Sequence, residues 1–172
     1  MKYPIGIQSF DQLIEDGYIY IDKTDLIYSL VNEGKIYFLS RPRRFGKSLL
    51  VSTLKNYFLG RKELFKGLKI DTLEKEWKTY PVFHMDFNGS DFTKRGILES
   101  RLRSYISDCE KEYSLSPDGI ETDLGNRFMK VLASARRNTG MRAVVLIDEY
   151  DKPILDVMDV DKNLEEEHRN IL

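Results

Sequence analysis

Residues 35–58, KIYFLSRPRRFGKSLLVSTLKNYF, join an apolar run, a basic loop and a helical pattern in that order. Ile36, Tyr37, Phe38 and Leu39 form a short continuous apolar segment of the kind that becomes a strand buried on both faces, with helices on either side. After the loop, Leu50, Leu54, Tyr57 and Phe58 recur at helical spacing, and Gly60 stands where a helix would stop. The loop thus lies between a strand's C-terminal end and a helix's N-terminus. Backbone N–H groups and the positive end of the helix dipole converge there. Gly46 allows close backbone approach to an anion, Lys47 adds a point charge, and the Ser48 hydroxyl suits Mg2+. Arg44, Phe45 and Leu49 complete the expected phosphate-binding segment. The full P-loop pattern, G-x-x-x-x-G-K-[ST], puts Arg41 where its first glycine belongs. Pro42 helps to set the loop's curvature, and Arg41, Arg43 and Arg44 make it unusually basic. Alone, the segment also fits an ordinary helix start carrying exposed basic residues.

A second motif decides between these readings. Residues 143–149, AVVLIDE, are another buried-strand run ending in two carboxylates, the form of a Walker B strand. Asp148 at the strand tip is the candidate Mg2+ ligand alongside Ser48, and Glu149 the candidate general base, with Lys47 on the phosphates. An Asp-Glu pair after an apolar run is by itself a common strand exit or helix cap. Following a Gly-Lys-Ser strand-loop-helix, it points to a nucleotide site. The expected fold is α/β: a P-loop NTPase three-layer α/β/α arrangement with a mostly parallel sheet.

The segments YPIGIQSFDQLIEDGYIYIDKT, RPRRFGKSLL, YPVFHMDF and VVLIDEYDKPI together resemble the bacterial AAA-ATPase-like family, and the resemblance spans essentially the whole chain, its arginine-rich loop included. It implies ATP and Mg2+ as ligands, hydrolysis in the full-length protein, and a C-terminal nuclease-like domain of the PD-(D/E)xK type in the parent protein. The preference for ATP over GTP rests on this resemblance, since no N-K-x-D motif is evident. P-loop ATPases with this Asp-Glu pair place a further strand, carrying a polar sensor, between the P-loop and Walker B strands. That strand is expected after residue 172, so the chain reads as a C-terminally incomplete core, and neither a sensor nor an arginine finger is assigned.

The composition, 41% hydrophobic and 32% charged, is that of a globular domain of ordinary character. With 27 basic and 28 acidic side chains, no net field draws the chain to nucleic acid or membrane. A nucleic-acid reading therefore rests on one patch, Arg41, Arg43, Arg44 and Lys47 with Phe45 among them. The single cysteine, Cys109, lies at a helical apolar position suited to core packing, and with two histidines it offers no zinc set. No signal-peptide h-region or membrane span is present, and a cytoplasmic location is expected.

Residues 1–34 read as a lead-in and 35–172 as the ATPase core. In the lead-in, Asp22 or Thr24 caps a helix through Leu26, Ile27, Leu30 and Val31 that stops at Gly34. Tyr18, Tyr20 and Lys23 suit either a packed lead-in or adenine contact, and packing is the better reading. Residues 61–77 suggest short surface helices, and 80–87 a strand with Asp86 near its end, placed either behind the metal or as a turn cap. Helices are expected over 96–113 and from Leu124 to a stop at Gly140, separated by a loop at Ser116, Pro117, Asp118 and Gly119, with a last helix from Asn163. Pro117-Asp118 lacks the Asp/Glu-x-Lys that a nuclease site would need. Two functional classes follow: an Mg2+-dependent ATPase, or a nucleotide-occupied switch that turns over slowly or not at all.

Overall fold

The computed structural model describes residues 2–40, 42, 45–115 and 123–172. Arg41, Arg43 and Arg44 of the basic loop, and the expected loop at Ser116, Pro117, Asp118 and Gly119, lie outside the described residues. The chain divides into two compact units, Met1–Val82 and Phe83–Leu172.

In the first unit, helices α1 (Phe10–Glu15), α2 (Thr24–Glu33), α3 (Lys47–Phe58) and α4 (Lys69–Leu73) enclose an aromatic core, with a 3-10 turn at Lys62–Phe65. Phe10, Tyr57, Phe65 and Ile70 meet there, the Phe10 and Phe65 rings 4.8 Å apart between centroids. Residues 62–73, read as surface from their charge, bury Leu64, Phe65 and Ile70 instead. Their apolar residues are too sparse to show a helical stripe, yet these three point inward while Leu73 stays exposed. Asp22 organises the helix starts. Its carboxylate accepts the Thr24 N–H (2.9 Å) at the first turn of α2 and the Lys69 N–H (2.7 Å) at the first turn of α4. Burial pushes the Asp22 carboxyl up, but hydrogen bonds from Thr24 and Lys69 outweigh it and hold it below its ordinary value.

The second unit contains most of a two-stranded parallel sheet, β1 (Val82–Asp86) and β2 (Val144–Asp148), with helices α5 (Ile97–Glu112), α6 (Leu124–Thr139), α7 (Lys152–Leu155) and α8 (Lys162–Ile171). Both strands and the long helices lie where the apolar patterns place them. Asp123 caps α6 by accepting the Asn126 N–H, and Gly140 ends it at φ 70°. Phe83, Cys109, Val131 and Ala135 form one core cluster, so Cys109 packs as expected, and Phe87, Phe92 and Leu98 form another. Between α5 and α6, Arg127 forks onto Glu110 through Nε–Oε1 (2.8 Å) and Nη2–Oε2 (2.6 Å). Helix α7 starts soon after β2, with Pro153 in its first turn, where a missing N–H costs nothing.

One expectation is corrected. Residues 36–39 form no strand, and Ile36 is 93% and Phe38 70% exposed. A strand is defined by its neighbours, and the sheet among the described residues contains only β1 and β2. The α/β class stands on those two strands and the surrounding helices.

Candidate functional site

The Gly-Lys-Ser segment belongs to the first unit and the Asp-Glu pair to the second. Gly46 immediately precedes α3 with φ 76° and ψ 23°, a left-handed conformation that other residues adopt only with strain. A Cβ built on Gly46 would meet no atom within 4 Å, so this backbone conformation, rather than space, calls for glycine. Among the described residues no side chain caps α3, whose first-turn amides carry the positive end of a 12-residue helix. Lys47, Ser48 and Leu49 open that helix half-buried, and Phe45 before them is 63% exposed. The helix is anchored from behind. Ser52 Oγ accepts the Phe10 N–H (2.9 Å), and Thr53 and Asn56 are buried.

At the tip of β2, Asp148 is 5% exposed and its Oδ1 accepts the Glu149 N–H at 3.0 Å. Its carbonyl accepts the Phe87 N–H (3.2 Å), which ties the ends of the two strands together. Glu149 follows at φ 53°, a left-handed conformation that is uncommon for a side chain branching beyond Cβ, and its carbonyl accepts the Lys152 N–H (3.0 Å) as α7 begins. The chain therefore turns sharply at the pair, with Asp148 buried and Glu149 half-buried. Asp148 and the Ser48 hydroxyl are hard oxygen donors, the class that Mg2+ takes. Among the described residues, no group of three or more histidines, cysteines or acids could hold a metal ion. An Mg2+ held chiefly by phosphate oxygens and water needs only one or two protein ligands.

The remaining candidates separate. Asp86, at the end of β1, is exposed, and its Oδ1 accepts the Asn88 N–H (2.8 Å), which is the turn-cap geometry. Tyr20 packs edge-on against Phe10 at 5.2 Å, and Tyr18 lies under the Lys2 ammonium, so both serve the packed lead-in. Arg101, not singled out by sequence, donates to the Asp86 carbonyl and to Ser90 Oγ (2.6 Å), placing a guanidinium at the strand's C-terminal end. It lines an open groove of about 350 Å3 with His84, Asp86, Tyr105 and Asp108. Nothing in its helical setting distinguishes it from neighbouring Arg103, because its partners come from the end of β1 and the loop that follows.

The family described as "Predicted AAA-ATPase" matches residues 4–172. The chain is 40% identical over 156 residues to a protein of Azotobacter chroococcum mcd 1 described as "Uncharacterized protein in vnfD 5'region". That match covers 90% of this chain and 30% of the relative, so the chain spans about a third of the relative's length. No solved structure matches.

Proposed function

Because the chain belongs to the predicted AAA-ATPase family, we propose that this nucleotide-binding, ATPase-like module takes Mg-ATP at the start of α3 and hydrolyses it in the full-length protein. The observation that carries the reading is the helix start at Gly46: left-handed, without a side-chain cap among the described residues, and followed by Lys47 and Ser48. Orphan amides at such a start suit a phosphate, and Lys47 adds charge to the same end. In this reading Arg44, Phe45, Gly46, Lys47, Ser48 and Leu49 bind the phosphates, and Ser48 and Asp148 hold the metal. Mg2+ supplies neutralisation of the β- and γ-phosphate oxygens when bound.

Glu149 orients the water and accepts its proton as the oxygen attacks the γ-phosphorus, ADP leaving on the opposite side. The wider reading follows from the family: residues 1–34 are a lead-in, 35–172 the core, and the module acts in the cytoplasm beside a nuclease-like domain. A direct nucleic-acid role has no support from the net charge of −1.

Calorimetry of Mg-ATP binding to the chain, beside Lys47→Ala and with GTP as competitor, tests the proposal. Binding that Lys47→Ala abolishes and GTP fails to displace supports an ATP site at this loop. A folded chain that binds no nucleotide overturns it.

A further inference from the structure

His168 is fully buried on α8, yet it belongs to no element of the candidate site. Its Nδ1 lies 2.7 Å from the Pro153 carbonyl oxygen. A carbonyl can only accept, so Nδ1 carries the proton and donates. In a neutral ring this is the Nδ1–H tautomer, with Nε2 the lone pair. Among the described residues Nε2 is buried without a hydrogen-bond partner, a lesser cost for an acceptor than for an orphaned N–H.

The Pro153 carbonyl needs that donor. In a continuing helix it would accept the Val157 N–H, but Val157 donates to Ile154 instead (3.2 Å). The imidazole thus satisfies an acceptor that α7 leaves open. Tracing back from Pro153, the neighbouring Lys152 donates its N–H to the Glu149 carbonyl, and Glu149 donates its own N–H to Asp148 Oδ1. Phe92, fully buried, closes the arrangement: its ring meets the His168 ring edge-on at 6.4 Å and carries the Lys152 ammonium 5.7 Å from its centroid.

We propose that His168 is a positioning residue for the Asp148–Glu149 tip, acting through its Nδ1–H bond to the Pro153 carbonyl. A short helix that begins three residues beyond Glu149 cannot hold the left-handed turn alone; the tether to α8 supplies a long-range anchor. The functional half of the inference rests on the nucleotide reading above. The structural half does not.

The test uses the whole chain with His168→Asn, whose side-chain amide can replace the Nδ1–H donor, and His168→Leu, which keeps bulk without a donor. Long-range 1H–15N correlation on the wild type should show Nδ1 protonated, and the opposite tautomer overturns the proposal. Amide exchange at Lys152 should quicken about tenfold in His168→Leu and return to within about twofold of wild type in His168→Asn, as expected for one lost and restored hydrogen bond. Slow exchange in the Leu variant with fast exchange in the Asn variant assigns His168 to packing alone and overturns the proposal. Should the wild type hydrolyse Mg-ATP, kcat falls in the Leu variant with KM little changed, and Asn restores it. A wild type without hydrolysis tells against the ATPase reading, while tautomer and exchange still decide the role of His168.

Discussion

Asp22 and Lys69, 47 residues apart, are joined by a 2.7 Å hydrogen bond from the Lys69 backbone N–H to Asp22 Oδ2. The other oxygen of the same carboxylate accepts from Thr24, N–H and hydroxyl both, while Thr24 Oγ1 accepts the Ile70 N–H (3.0 Å). Two residues of the lead-in therefore satisfy the first-turn amides of a distant helix.

Asp22→Ala should destabilise the chain by about 1–2 kcal/mol, the size of a lost helix cap. The folded pKa of Asp22 lies below its unfolded value, so its stabilisation is present above about pH 4 and is lost as pH falls through the folded value. Urea titrations at neutral and acid pH check this: the gap between wild type and Asp22→Ala should narrow on acidification.

Glu149 separates backbone strain from chemistry. Glu149→Gly should raise thermal stability by about 1 kcal/mol, since glycine adopts φ 53° without strain. Glu149→Gln should leave stability unchanged and lower any hydrolysis about 100-fold, the scale of a lost general base. Melting curves and phosphate release measured on both variants distinguish the two effects.

Arg127 and Glu110 are 12% and 7% exposed and bonded side by side. Either Arg127→Met or Glu110→Leu alone should cost about 3–5 kcal/mol, because the remaining charge is buried without its partner. The double variant should recover most of the loss. A double-mutant cycle by denaturant unfolding checks this, and strictly additive costs would show that the two residues act independently.

Ile36 and Phe38 look like core by composition but face solvent. Ile36→Ser and Phe38→Ser should each change the stability of this chain by no more than about 0.5 kcal/mol. A loss of several kcal/mol by chemical denaturation would instead show the run buried against a partner in solution.

The sequence by itself determined α3, α5, α6, α8, β1 and β2 closely, because amphipathic periodicity and the stops at Gly60 and Gly140 are local signals. It also placed Gly46 before a helix and Asp148 at a strand tip, since both positions follow from the order of apolar runs and polar breaks. Tertiary structure decided what depends on distant partners. Residues 36–39 carry a strand's composition, but a strand forms only where another pairs with it. Phe65 and Ile70 are core because Phe10 and Thr24 reach them, and neither relation leaves a mark in a charged segment. The left-handed turn at Glu149 and the imidazole that takes the Pro153 carbonyl belong to the same class, since a short-range pattern does not encode where a residue 15 positions away will donate its proton.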